Sequence, residues 1–437
     1  MELVNIFAWS TLCIPCEHVP LFYGEYLQHI CGFCSSYGNH RDLWVRPFDQ
    51  QSLIRWVLRK VEELDPEVVE VQGEFDPLDP PFYVNTIHLV SWLLARGYRV
   101  KLFTHLLRPT TYIVNFIDEV TKHVGSSLQV VENLEIHTSI HALDMNVLKW
   151  IWVKTYERDG LLGIIYDYHY LIKNILMLRG MGFKIGAHFV VTSVNIREIF
   201  NVYMLCNYLG IEQLSFLRLA PQGLALETWN IYAPTVEEWV LIYSKFLRLM
   251  RAKYYIETGI IVDQLFKEYD RIRSILENRY GLKLYRFPIQ CRDWFNLTVP
   301  RFGCPINWFF ILRDSETLRN ENDIVLKLIE KKYQAPKCSA VTRSGVSIDV
   351  GGYMPCIGFK DWVRCRDLKE LDRFRTKLAR EYVAEECRSC KYFTTCLGKC
   401  FAQKWGLGVK VDPLCRIVRS YKEEIARRSL NKYNIKL

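Results

Sequence analysis

Hydrophobic positions in the first half of the chain follow two periods. Short apolar runs, most of them rich in β-branched and aromatic residues, occupy positions 4–9, 68–71, 99–104, 134–140, 184–192 and 214–219. Runs of that length and composition predict strands. Between them lie longer stretches with apolar residues at helical spacing, clearest at 82–96 and 166–179. Gly97 and Gly180 follow these two stretches and predict their C-terminal ends.

Six strands alternating with helices predict an α/β fold with a parallel sheet and right-handed crossovers. Six units make a partial (β/α)6 barrel, short of the eight-stranded closed form. In such folds the chemistry belongs at the C-terminal ends of the strands. From about 225 to 335 the pattern turns mainly helical, clearest at 236–253 and 261–278, and carries no motif that specifies chemistry. Cysteines recur at short spacings from Cys338 onward, which places a domain boundary near residue 330. No internal repeat is present.

Composition narrows the class. The chain has 437 residues, half of them hydrophobic, enough for a large core and two to three domains. Abundant aromatics exclude a disordered chain. The formal net charge of +9 is mild for this length. Its basic excess ends in Arg416, Arg419, Arg427, Arg428, Lys432 and Lys436, a pattern expected of a solvated helix face. No apolar run is long enough to span a bilayer, and the N-terminus does not read as a signal peptide. The 15 cysteines therefore predict reduced thiols in a cytoplasmic protein, used for metal binding or catalysis.

Seven cysteines form the strongest pattern. Cys338 is followed by twelve residues, Gly351, four residues and Cys356. Cys387, Cys390, Cys396 and Cys400 are then separated by two, five and three residues, and Cys415 closes the set. Such spacing lets thiolates of one short loop converge on a compact cationic centre. Four thiolates suit zinc or an iron–sulfur cluster.

The segment from Ser347 to Cys356, SIDVGGYMPC, and the loop from Cys390 to Cys400, CKYFTTCLGKC, closely resemble the SPASM module of radical S-adenosylmethionine (SAM) enzymes. The resemblance covers about residues 336 to 417. It implies that Cys387, Cys390, Cys396 and Cys415 hold an outer auxiliary cluster and that Cys338, Cys356 and Cys400 hold an inner one. Many members have a further inner-cluster cysteine shortly before the position of Cys338. This chain has none there, which leaves Cys304, Cys291 or an open iron.

The N-terminal half resembles the same family. Cys31-Gly32-Phe33-Cys34 matches the second half of its three-cysteine motif, while the position of the first cysteine is Leu27. Cys16 would complete the triad across an insertion, with Cys13 the alternative. Two CxxC pairs, Cys13–Cys16 and Cys31–Cys34, also fit a zinc knuckle. Gln72-Gly73-Glu74-Phe75-Asp76-Pro77 resembles the segment that meets the SAM amino group, and implies that role for Gly73 and Glu74. By the same resemblance Ser139 would lie near the SAM ribose or carboxylate, Arg158 would pair with the carboxylate, and the backbone at Leu219 would face the adenine. His18, His29 and His40 flank the N-terminal cysteines and are candidate ligands or proton donors. Cys206 reads as a core thiol, and Cys365 has no partner at a telling distance.

The resemblance divides the chain into a radical SAM partial barrel (1–225), a helical connector (226–335), an auxiliary-cluster domain (336–420) and a basic C-terminal helix (421–437). It implies a [4Fe–4S] cluster that binds SAM, one or two auxiliary [4Fe–4S] clusters, and an electron donor such as a ferredoxin or flavodoxin. The implied activity is reductive cleavage of SAM to a 5′-deoxyadenosyl radical for hydrogen abstraction. A peptide or protein is the leading substrate class, although a first strand at position 4 reads against a preceding peptide-recognition domain. Alternatives are cofactor or tetrapyrrole maturation by the same chemistry, or a non-catalytic iron–sulfur or zinc protein that binds a partner.

Overall fold

The computed structural model describes residues 3–7, 31–33, 50–73, 76–235, 238, 308–311, 340–341, 345–349, 352–359, 362–389 and 400–411. In chain order, β1 (Leu3–Phe7) precedes α1 (Gln50–Leu64), β2 (Val68–Gln72), α2 (Pro80–Ala95), β3 (Arg99–Phe103), α3 (Thr110–Val124) and α4 (Ser127–Asn133). Then come β4 (Leu134–Ser139), α5 (Met145–Ile151), α6 (Val153–Gly180), β5 (Lys184–Val191), α7 (Ile199–Leu209) and β6 (Gln213–Arg218). Two short helices follow, α8 (Leu224–Glu227) and α9 (Trp229–Tyr232). The C-terminal elements are β7 (Trp308–Ile311), β8 (Gly345–Asp349), β9 (Gly352–Met354), α10 (Leu368–Glu381), α11 (Glu385–Arg388) and α12 (Phe401–Gly406).

All six expected strands form, each within about two residues of its expected bounds, and β1 to β6 pair in sequence order, all parallel. Strand alternation sorts their side chains. Val69 and Val71, Val100 and Leu102, and Leu134 and Ile136 are fully buried or nearly so. They share one core with Val61 of α1, Leu94 of α2, Val120 of α3 and Ile172 of α6. The alternate positions carry Glu70, Lys101, Glu135 and His137. One face is thus helix-covered and aliphatic, and the other is lined with charge. The first turn of α2 holds Pro80 and Pro81, where missing N–H groups cost nothing. Gly97 ends this helix in the left-handed region at φ 83°, as expected. At the end of α6 the sequence reading is corrected: Gly180 stays helical, and Gly182 at φ 94° makes the turn.

Three strands extend this sheet to nine, in the order β7-β6-β5-β4-β3-β2-β1-β8-β9. β7 pairs antiparallel with β6, inside the stretch read as helical from sequence. The two clearest helical patterns there, 236–253 and 261–278, lie outside the described residues. β8 pairs parallel with β1 and antiparallel with β9. The hairpin of the cysteine-rich segment is therefore hydrogen-bonded into the N-terminal sheet. Among the described residues, no helix is long and apolar enough to cross a membrane.

The cysteine-rich segment has its own small core. Phe359 meets Trp362, Phe374 and Trp405 edge-on, with ring centroids 5.8 to 6.4 Å apart. Tyr382 stacks on Trp405 at 4.9 Å. Lys404 is fully buried, donates to the Tyr382 carbonyl and lies 4.2 Å above the Phe401 ring. Arg375 of α10 is also buried. Its Nη2 donates to the Gly345 carbonyl at 2.5 Å, and its Nη1 lies 3.6 Å from Asp372. That bond ties α10 to the first residue of β8. Arg375→Met keeps the apolar stem and removes the donor, so unfolding stability should fall by about 1.5–3 kcal/mol. Urea denaturation reads the loss, and hydrogen exchange should show the β8 amides opening first.

Candidate functional site

The parallel order of β1 to β6 brings the loops that follow them to one rim. Buried polar side chains tie these loops down. Asp76, beyond β2, accepts from the Leu78 amide at 2.8 Å, from Thr104 Oγ1 at 2.8 and 2.9 Å, and from the His105 amide at 2.6 Å. Asn174 of α6 is fully buried and donates to the Leu106 and Arg108 carbonyls at 2.9 and 2.8 Å. Glu198 accepts from the amides of Leu143 and Asp144 at 2.7 and 3.0 Å. Asn195 accepts from Thr192 N at 2.8 Å and donates to the carbonyls of Val190 and His141 at 2.9 and 3.3 Å. Loops tied down by buried side-chain hydrogen bonds of this kind are held in one conformation.

Of the expected SAM-cluster ligands, Cys31 is described, whereas Cys16 and Cys34 lie outside the described residues, as do Cys13, His18, His29 and His40. Cys31 is buried. Its neighbour Gly32 donates to the Ile151 carbonyl at 2.9 Å and accepts from Thr228 Oγ1 at 3.0 Å. Phe33 meets the rings of His141 and Tyr232 edge-on, each at 5.4 Å. Tyr232 in turn donates to the Trp150 carbonyl at 2.7 Å. The loop after β4 and the loop after β6 thus clamp this segment from two sides. Gly32 is required sterically: a Cβ there would lie 2.2 Å from Tyr232 Oη.

The other expected cofactor residues divide. Gly73 follows the last residue of β2, and Asp76 beyond it is pinned by the bonds above. Glu74 lies outside the described residues. Ser139 is the last residue of β4, and Leu219 is buried just beyond β6. Arg158 is exposed on α6 and ion-paired with Asp159 at 2.5 Å. The rim therefore gathers Cys31, Gly73, Ser139 and Leu219.

In the C-terminal set, Cys356, Cys387 and Cys400 are described, whereas Cys338, Cys390, Cys396 and Cys415 lie outside the described residues, as do Cys291 and Cys304. No described cysteine forms a disulfide. The turn after Cys356 packs on the helix that begins after Cys400, since a Cβ on Gly358 would lie 2.7 Å from Ala402 Cβ and 3.6 Å from Cys356 Sγ. Two half-buried thiols expected to share the inner cluster are thereby held on touching elements, which suits a thiolate-bound centre. Cys387 is buried on α11. Gln222, beyond β6, donates to the Gly358 carbonyl and joins this turn to the rim. Cys206 and Cys365 are buried thiols whose pKa burial raises, Cys365 to about 11 with Glu370 adding to it. Neither is poised as a thiolate.

Sequence reasoning missed a histidine cluster on the polar face. His137 follows Glu135 by two residues on β4, and its Nδ1 lies 3.0 Å from His188 Nε2 on β5. Period-two alternation on β4 was the available signal, since it places Glu135, His137 and Ser139 together. Burial lowers His137, His141 and His188, taking His141 to about 3. Burial would raise Glu135, but the His137 hydrogen bond, Lys101 and Arg99 outweigh it and bring the carboxyl down to about 2. Burial raises Glu70, with Lys101 opposing.

No protein-family model matches the chain, and no curated protein sequence matches it. Solved structures do. One is anSMEcpe with bound AdoMet and a Cp18Cys peptide, at 14% identity and TM-score 0.54, covering 99% of both chains. A histidine-tagged form of anSMEcpe with bound AdoMet matches with the same identity and score over 100% of this chain and 96% of that one. Streptococcus suis SuiB bound to its precursor peptide SuiA matches at 14% identity and TM-score 0.52, over 95% and 75%. At such identity the likeness is one of fold. That fold is a partial barrel of parallel strands and helices, as the hydrophobic pattern predicts.

Two outcomes follow from this geometry. Gly32→Ala should cost about 1–3 kcal/mol through overlap with Tyr232, which thermal unfolding would measure. The neutral histidines set the acid response. Each is lowered on folding, so the unfolded chain binds more protons between the unfolded value near 6.5 and the folded one. Stability should fall below pH 6.5 by up to about 1.4 kcal/mol per pH unit for each histidine. Glu135 adds a further loss between 4.5 and about 2. Urea denaturation between pH 7 and 5 should show this slope, reduced by one proton in His141→Phe.

Proposed function

We propose that this chain is a radical SAM enzyme that reductively cleaves SAM to a 5′-deoxyadenosyl radical and abstracts hydrogen from a peptide or protein. The observation that carries the proposal is the convergence at one rim of Cys31, Gly73, Ser139 and Leu219. Four separate stretches of sequence resemble this family, and folding brings their described residues to the same end of one sheet.

Cys31 and Cys34, with Cys16 as third ligand, would hold the SAM cluster. Gly73 and Glu74 would receive the SAM ammonium, which a fixed carbonyl and a carboxylate suit. Ser139 and the backbone at Leu219 would bracket the nucleoside. Arg158 would meet the SAM carboxylate on leaving Asp159. Cys387, Cys390, Cys396 and Cys415, and Cys338, Cys356 and Cys400, would hold auxiliary clusters. Bound together, the SAM cluster and SAM supply the electron and the radical precursor. The chain's own contribution is to hold these groups at a rigid rim and to exclude water. Phe33, His141 and Tyr232 close one side of that rim with aromatic surface. Peptides bound in the solved structures of like fold favour a peptide over a small cofactor as substrate. A ferredoxin or flavodoxin would donate the electron.

The test is anaerobic reconstitution with iron and sulfide, followed by SAM and dithionite. A loaded chain should carry about 8 to 12 irons and form 5′-deoxyadenosine and methionine in equal amounts. Cys31→Ala should lose that activity. Of Cys16→Ala and Cys13→Ala, only the first should. A fully loaded, reduced protein that forms no 5′-deoxyadenosine would overturn the proposal.

A further inference from the structure

The polar face of the sheet holds Glu135, His137 and His188, which the proposed chemistry does not use. Glu135, His137 and Ser139 project from this face of β4, and Gly186 and His188 from the same face of β5. Glu135 lies 3.3 Å from Arg99 and 3.7 Å from Lys101. Its Oε2 is 3.5 Å from His137 Nε2, at the long end of a hydrogen bond, and His137 Nδ1 is 3.0 Å from His188 Nε2. Phe103 stacks on His137 at 4.9 Å and tilts against His188 at 5.1 Å. A Cβ on Gly186 would lie 2.3 Å from the His137 ring, so glycine is what admits that ring. Two imidazoles are thus held in fixed planes.

The tautomers follow from the ionised end. Glu135 can only accept, so His137 carries its proton on Nε2 and presents a lone pair at Nδ1. His188 must then donate from Nε2, which leaves its own Nδ1 as an acceptor. That Nδ1 is buried and, among the described residues, makes no hydrogen bond. A buried acceptor is rarely left without a donor. His188 is the register partner of Ser139, the last residue of β4. His141, two residues on, meets Phe33 beside Cys31.

We propose that Nδ1 of His188 is the acceptor for an N–H or O–H donor of a molecule bound at this rim, with Glu135 and His137 as positioning residues that fix its tautomer. This rests on the reading that SAM and substrate bind there. The donor is a hydroxyl or amine of SAM, or a peptide N–H of the substrate. His188 is an acceptor and not a general base. Burial lowers it well below the usual histidine range, and the charged and titratable groups that face it, His137, Lys101 and His141, lower it further. The lone pair therefore stays available from pH 6 to 9. A site built around one acceptor discriminates sharply against a partner that lacks the donor.

The test is nitrogen NMR of oxidised, cluster-loaded protein labelled with ¹⁵N-histidine, the His188 signals being those lost in His188→Gln. His188 should be the Nε2–H tautomer from pH 6 to 9, and Glu135→Gln should mix its tautomers. SAM is then added, followed by N-methylacetamide, which has one N–H, or N,N-dimethylacetamide, which has none. The amides are also tested without SAM. A shift of Nδ1 with SAM alone assigns the donor to SAM. A shift with N-methylacetamide and none with the dimethyl compound assigns it to a peptide N–H. If the donor is SAM's, equilibrium dialysis should show SAM bound at least about tenfold more weakly by His188→Phe. His188→Gln keeps a donor for His137 and an acceptor, and should bind within about threefold of the natural protein. A proton found on Nδ1, or an Nδ1 signal unmoved by every probe, overturns the proposal. These signals are read without turnover, so failure of SAM cleavage would sink the proposed activity and leave this assignment to be judged separately.

Discussion

Parallel pairing of β1 to β6 is the constraint on which everything else depends. Parallel strands joined by helical crossovers must all end at the same edge of the sheet. Residues far apart in sequence, from Cys31 to Leu219, then lie along one rim. The rim also collects the exposed backbone amides and carbonyls of each strand-to-helix loop. Those groups need partners, and Asp76, Asn174, Asn195 and Glu198 supply them from buried positions. The same bonds that satisfy the loops hold the site still.

The polar face follows from the same alternation. With valine, leucine and isoleucine committed to the helices, the other face of each strand is available for groups that a closed core would reject. Glu70, Lys101 and Glu135 stand in register on β2, β3 and β4. Opposite charges on adjacent strands offset one another, and they set the polarity of the histidine pair beyond them. The pairing of β8 with β1 adds the cysteine-rich segment to the β1 edge of the sheet, where Arg375 and the ring cluster around Phe359 hold it.

Local periodicity made the six strands legible because each half-buried strand must alternate or run apolar, whatever its neighbours are. The cysteine spacings around Cys387 and Cys31 stand out in the sequence for a related reason: thiolates proposed to share one centre would be close in sequence or be brought close, and short loops do the first. β7 was misread because four residues within a helical pattern carry no period of their own. The turn after α6 was assigned to Gly180 and not to Gly182 because either of two nearby glycines could have supplied it.

The chain's own pattern thus determined the α/β class, the strand order of the first half, the motif-bearing segments and the candidate thiols. It could do so because hydrophobic period and cysteine spacing are local properties. Tertiary structure alone decided that β8 completes the N-terminal sheet, that Tyr232 and Thr228 clamp Gly32, and that His137 and His188 meet. Each of those is a contact between residues about 50 to more than 300 positions apart. Such contacts depend on strand register and loop closure, and a slip of one residue in β4 or β5 would turn His137 or His188 to the other face.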